Sequence, residues 1–261
     1  MKIEIFLRTH DASNVHAGAE RYCNFSKSTL ALGCTRSLIR SLNQFRGTVQ
    51  LIVSDDHSSD SFVNDLKESL THCRFPYKLI HLDQSGNNYS CLKQFELCHD
   101  STADLVYSVE DDYLHCESAI SEMVENYLYF KSKLNNEVAM FPYDAVEEYE
   151  PPWLGPSVLV RGTRRHWKTG PNTTGTFMCS PEIVRKYWHH FYDLATYYVP
   201  WQDHKPGQTS KSEQETICQI WKNHVTRFNP IPSLALHMQF EQHRDPYINW
   251  QDWWDRYACS F

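Results

Sequence analysis

Four short apolar runs rich in β-branched residues, Ile3–Leu7, Val49–Val53, Tyr77–Leu82 and Asp104–Val109, are long enough for strands and too short for helices. Between them apolar residues recur at three-to-four spacing: Leu30, Leu38 and Leu42, then Phe62, Leu66 and Leu70, then Leu92, Phe95 and Cys98. That is the rhythm of amphipathic helices. Strand and helix alternating in this way predict an α/β fold with a parallel sheet under helices, because parallel neighbours need a crossover and the crossover covers the sheet. In such sheets ligands bind beyond the carboxyl ends of the strands, so the residues just after each run carry the chemistry.

Beyond residue 116 the rhythm loosens. A helix is expected over Glu117–Leu134, followed by a loop-rich stretch punctuated by Pro142, Pro151, Pro152 and Pro156. Turn residues at Gly170–Gly175 lead into a short strand, Thr176–Cys179, and Ser180–Pro181–Glu182 reads as a helix start. Ser212 with Glu215 three residues on fits a capping box for a helix running through Trp221. Ser233–Leu236 reads as a last strand before an aromatic tail at Trp250, Trp253 and Trp254. The expected organisation is a single domain over 1–261 with two lobes, 1–115 and 116–261.

Composition narrows the function classes. At 261 residues, 41% hydrophobic and 22% charged, the chain suits a folded core and excludes disorder and collagen. No apolar run approaches the ~18 residues of a membrane span, and Met1–Lys2–Ile3–Glu4 starts a strand, not a leader. A cytoplasmic protein is expected, with peripheral membrane contact left open. The formal charge of −7 offers no electrostatic attraction to nucleic acid, so an anionic ligand must be held locally, and a bound divalent cation is one way to hold it. Nine cysteines, an odd number with no C-x-x-C pair, suggest neither zinc nor a disulfide framework; buried free thiols are expected.

The second run ends in Asp55–Asp56–His57–Ser58–Ser59–Asp60 and the fourth in Glu110–Asp111–Asp112, which puts two acidic clusters at one edge of the expected sheet. Such a concentration is costly unless it binds cations or hydrogen-bond donors. The plain alternative, for either cluster alone, is capping of the following helix.

Together with Leu7–Arg8–Thr9–His10–Asp11, these runs resemble a nucleotide-sugar glycosyltransferase of the GT-A fold, nearest to family 2, over roughly residues 3–125. The resemblance implies a Rossmann-like nucleotide half with a mostly parallel sheet and a smaller acceptor lobe. It implies Asp112 as first ligand of Mn²⁺ or Mg²⁺, with Asp111 or Glu110 facing the ribose or the metal's waters. Asp56 would contact the base, and Arg8, Thr9 and His10 would frame the nucleoside, although family members usually carry Pro–Thr–Tyr–Asn-like residues there. Ser85–Gly86–Asn87–Asn88 followed by Lys93–Gln94 resembles the family's glycine turn and basic helix, so Lys93 would reach base or diphosphate. The acceptor's base would be Glu215 or Glu213, with Glu215 favoured as pointing off the apolar face. His237, after the last run, would join the metal and thereby favour manganese. Trp153, Trp167 and Trp201 would suit stacking on sugar rings, and Thr173–Thr174–Gly175 would line the donor-sugar pocket.

The implied reaction is metal-dependent transfer, with inversion, of a sugar from a nucleoside diphosphate to a glycan, lipid-linked or other hydroxyl acceptor. Two alternatives stand beside it. A nucleotide-sugar-forming nucleotidyltransferase needs a glycine-rich basic loop after the first strand, which Asp11–Ala12–Ser13–Asn14 is not. A catalytically silent carbohydrate-binding protein of the same fold would bind sugar without metal and release no nucleotide.

Overall fold

The computed structural model describes residues 1–12, 23–150, 155–170, 175–199 and 209–261. Strands β1 (Lys2–Thr9), β2 (Thr48–Asp55), β3 (Tyr77–His81) and β4 (Leu105–Glu110) coincide with the four expected runs, and they pair in parallel in the order β3–β2–β1–β4. Side-chain alternation decides what each face buries. Ile3, Ile5, Leu7, Leu51, Val53, Leu105, Tyr107 and Val109 enter one core, while Phe6, Ile52 and Val106 enter the other. Helices α1 (Lys27–Gln44), α2 (Asp60–Thr71) and α4 (Ala119–Leu134) contribute to the first core, and α3 (Asn87–Asp100) to the second.

The helix starts follow local chemistry. Ser26 and Ser59 accept from the amides of Thr29 and Phe62, and α3 begins after Gly86, whose φ of 119° suits a residue without Cβ. Gln94 on α3 turns inward and donates to the carbonyls of Phe6 (2.6 Å) and Val109 (2.8 Å). It thus ties β1 and β4 together just below their carboxyl ends.

The sheet continues past β4 through elements that the loop-rich reading missed. β6 (Val138–Met140), β7 (Leu159–Arg161), β8 (His166–Thr169) and β10 (Thr226–Ile231) join the expected strand β9 (Phe177–Cys179) in the order β4–β9–β6–β10–β8–β7. β9 runs antiparallel to β4 and β6, whereas β10 is parallel to β6, so the carboxyl ends of β4, β6 and β10 share one edge. β5 (Tyr113–His115) pairs with β11 (Ala235–His237) in a separate antiparallel ribbon over that edge. Helices α5 (Pro181–Lys186), α6 (Trp188–Tyr197) and α7 (Ile217–Asn223) complete the second core.

The expected helix from Ser212 through Trp221 is two pieces. A 3₁₀ turn, Glu213–Glu215, carries the capping box, and Thr216 (φ −120°, ψ −102°) breaks it from α7. The aromatic tail forms α8 (Trp250–Tyr257), which lies on α1: Trp254 stacks on Phe25 at 4.1 Å and covers Gly33, where a Cβ would come within 2.3 Å of the indole. The nine cysteines are thiols outside any disulfide, and eight are buried. Among the described residues, no helix is long and apolar enough to cross a membrane. Trp167 is a correction: it is fully buried in β8, edge-on to Phe130, and offers no surface to a sugar. Trp153, Trp201, Thr173 and Thr174 lie outside the described residues.

His115 gives the fold a pH dependence. Its ring bridges the Tyr113 carbonyl (2.9 Å) and the Tyr107 hydroxyl (2.8 Å), and burial lowers its pKa to about 4. The unfolded chain therefore takes up the proton first on acidification, so this contribution is complete above about pH 6.5 and is lost as pH falls toward 4. Urea unfolding at pH 5 and pH 8 should differ by about 2 kcal/mol more in the wild type than in His115→Gln. Equal differences would remove His115 as the cause.

Candidate active site

The carboxyl ends of β1, β2 and β4, the turn after β6 and the end of β11 meet at one edge. β1 and β2 are in register through Thr9 and Asp55, and Arg8 sits beside Glu110 across the β1–β4 pairing. The two acidic clusters thus share an edge, as the alternation implied.

They differ in what they do. In the first, Asp55 is fully buried and accepts from the Ser58 amide at 3.3 Å, while Ser59 caps α2, so part of this run serves capping. Asp56 faces the other way and accepts from the Gly86 amide at 3.0 Å, and its carbonyl lies 2.7 Å from His10 Nδ1. Thr9, His10 and Asp56 therefore form one wall with the glycine turn before α3.

In the second cluster each acid has a different partner. Arg8 donates to Glu110, to Asn87 Oδ1 (2.7 Å) and to Ser90 Oγ (3.3 Å). Burial opposes the Arg8 charge most strongly, but the charge and hydrogen bond of Glu110, with Cys91 and Asp111, together outweigh it and the pKa rises. Thr176 also donates to Glu110 at 3.3 Å. Asp111 binds the Lys27 ammonium and accepts from the His10 amide at 2.9 Å; burial nevertheless pushes its carboxyl upward. Asp112 Oδ2 lies 3.6 Å from His237 Nε2, and the Asp112 carbonyl accepts from the Met238 amide at 2.8 Å, which fixes the approach of the two segments. Burial disfavours charge on His237, yet Asp112, with help from Glu110 and Glu147, raises its pKa.

Lys93 does not join this group. On α3 it pairs with Glu96 at 2.7 Å and lies over the Tyr89 ring, and its other charged neighbour is Asp83.

The two acids of the 3₁₀ turn part company. The Glu215 carboxylate accepts from the Ser212 amide (2.9 Å) and hydroxyl (2.8 Å), which lowers its pKa and holds it in the capping box. Glu213, only partly accessible, is driven up to about 8 by burial and by the nearby negative charges of Glu110 and Glu147, against the opposing effect of His237 and Arg8. Glu147 is itself raised to about 6, through burial and its neighbour Glu148.

Glu147 and His243 belong to this constellation and carried no signal in the sequence. Glu147 sits in the 3₁₀ turn Val146–Tyr149 after β6, and His243 follows β11 with its Nε2 at 3.8 Å from Glu147 Oε1. A buried ionic network holds that turn. Lys168 binds Asp144 (2.5 Å) and Glu148 (3.0 Å), Arg227 binds Glu148 (3.0 Å), and Tyr149 donates to Asp144 (2.6 Å). Such a network, with its charges paired off, fixes geometry more than it adds stability.

Whether these residues suit a divalent cation follows from their donors. Asp112 offers a hard carboxylate oxygen and His237 an imidazole nitrogen, a pair that suits Mn²⁺ better than Mg²⁺. Among the described residues, no group of three or more His, Cys, Asp and Glu side chains is arranged to hold a metal. A cation here needs oxygen ligands from elsewhere, and phosphate groups are the usual source.

No protein-family profile and no curated protein sequence matches the chain. Solved structures do. The crystal structure of S. aureus TarS residues 1–349 superposes with a TM-score of 0.50 at 11% identity, covering 87% of this chain and 58% of that one. The same TarS segment in complex with UDP-GlcNAc superposes with a TM-score of 0.50 at 12% identity, covering 98% and 64%. The chain thus spans about three-fifths of these neighbours' length. It has a mixed α/β architecture with the GT-A glycosyltransferase fold.

Proposed function

We propose that this chain is a divalent-cation-dependent glycosyltransferase that moves a sugar, with inversion, from a nucleoside diphosphate to the hydroxyl of a glycan, lipid-linked or other acceptor. The observation that carries this reading is the Asp112–His237 pair beside Glu213, at a strand-end edge where Glu110, Asp111, Asp112, Glu147 and Glu213 outnumber Arg8 and Lys27. In this reading residues 1–115 hold the nucleotide and 116–261 the acceptor.

Asp112 and His237 would hold Mn²⁺, which when bound stabilises the negative charge of the departing diphosphate. Thr9, His10 and Asp56 line the nucleoside, with Asp56 toward the base. Glu110, steadied by Arg8 and Thr176, faces the ribose. Asp111 supports that wall by locking Lys27 to His10's backbone. Glu213 is the base. Its carboxylate takes the proton of the acceptor hydroxyl as that oxygen bonds to the anomeric carbon and the bond to the diphosphate oxygen breaks on the opposite face. A carboxyl lifted by burial and like charge holds a proton far better than one in water, which suits this task. Glu215, committed to the capping box, is assigned to structure, and Lys93 to the surface.

UDP-GlcNAc bound to TarS makes a uridine nucleotide the first to try. Thermal unfolding with UDP, GDP, CDP and dTDP, each with and without Mn²⁺, tests the reading. One nucleotide at about 100 times its Kd should raise Tm by about 5 °C, and only when Mn²⁺ is present. No shift for any nucleotide would sink the proposal. Stabilisation by sugar alone would support the silent binding protein instead.

A further inference from the structure

His237 stands in a column of three rings. One face lies on Tyr113 (centroids 4.6 Å apart, planes 11° apart) and the other on His243 (4.5 Å, 9°). Tyr113 and His237 are cross-strand partners in the β5–β11 ribbon, so that contact follows from strand pairing. His243 comes from a different segment, the 3₁₀ turn Glu241–His243, and nothing in the ribbon requires it.

Its chemistry is odd for a residue that only fills space. His243 Nδ1 is buried with no hydrogen-bond partner, and Nε2 stands 3.8 Å from Glu147 Oε1, beyond hydrogen-bond reach. Phe240 closes the ring's surroundings at 5.3 Å. The ring's good contact is therefore its face, laid flat on His237.

The segment is pinned where that contact needs it. The Val146 amide donates to the Arg244 carbonyl (3.4 Å), and Asp245, fully buried, accepts from the Ser233 amide (2.9 Å). His243 is thus anchored both to the turn that carries Glu147 and to the approach of β11.

We infer that His243 is a positioning residue for the cation: its ring face, opposite Tyr113, holds the plane of His237 so that Nε2 stays aimed beside Asp112. An imidazole between two flat walls cannot swing about its ring torsion; with one wall gone it can, and orientation of a ligand by its neighbours commonly sets metal affinity within ten- to a hundredfold. The inference rests on the cation reading of Asp112 and His237.

Electron paramagnetic resonance of free Mn²⁺, titrated against protein with the nucleoside diphosphate selected by the thermal panel, tests it. His243→Ala should bind Mn²⁺ about tenfold more weakly than wild type, and His243→Phe, which keeps a flat face and drops both nitrogens, should stay within about threefold. Tm without metal, measured alongside, should be as high in His243→Phe as in wild type. Unchanged affinity in His243→Ala would overturn the inference, as would a His243→Phe variant as weak as the alanine, since the nitrogens and not the face would then matter. Wild-type protein that binds no Mn²⁺ would end the cation reading and this inference with it; wild-type binding with unaffected variants would end this inference alone.

Discussion

Asp112→Asn is expected to abolish the Mn²⁺-dependent rise in Tm and to lower transfer by about a thousandfold, the equivalent of ~4 kcal/mol of transition-state stabilisation. The substitution leaves the backbone hydrogen bond from Met238 intact, and an amide oxygen can still face His237, so Tm without metal should stay close to wild type. What is lost is the anionic oxygen. Thermal unfolding with and without nucleotide and Mn²⁺, beside an assay for released nucleoside diphosphate, reads both effects. An unchanged metal-dependent shift would take Asp112 out of the site.

Glu213→Gln should lower transfer by about a hundred- to ten-thousandfold while the nucleotide-and-metal shift persists. Glu215→Gln should do the reverse. It weakens the capping box, costing about 1 kcal/mol in unfolding, and leaves transfer within about threefold of wild type. The contrast separates two carboxyls one helical turn's fraction apart: one driven up by burial among other acids, one drawn down by the Ser212 amide and hydroxyl. Full activity in Glu213→Gln would move the base elsewhere, and inactivity in Glu215→Gln with an intact fold would return the role to Glu215.

The amino-terminal part of this fold is readable because β1, β2 and β4 are buried on both faces. Ile3–Leu7 is apolar but for Glu4 and Leu105–Val109 but for Ser108, and the helices between them keep one stripe inward. The carboxy-terminal part hides its strands. β10 carries Arg227, Asn229 and Pro230, and β8 carries Lys168, all of which read as loop residues; Asp144 and Glu148 arrive from the turn after β6 to pair with Lys168 and Arg227 and to accept from Asn229. No local pattern announces partners that distant in sequence.

The site divides in the same way. Glu110–Asp112 and Asp55–Asp60 follow strands that could be read, so their shared edge could be inferred. Helix spacing in the sequence favours Glu215 over Glu213, but the segment is a 3₁₀ turn broken from the next helix at Thr216. With the capping box formed, the Glu215 carboxyl is occupied at the surface, and Glu213 is the one left among the acids. Glu147, Lys27 and His243 are single polar residues in unremarkable surroundings; only the folded chain brings them to Asp111, Glu213 and His237.

On the proposed mechanism one cation joins Asp112 and His237 to the phosphates of a nucleotide. Anomalous diffraction at the manganese edge, from crystals grown with Mn²⁺ and the nucleoside diphosphate chosen by thermal shift, tests it directly. A single peak is expected within coordination distance of an Asp112 oxygen, His237 Nε2 and diphosphate oxygens. Nucleotide bound with no peak there, or with manganese held by other side chains, would contradict it.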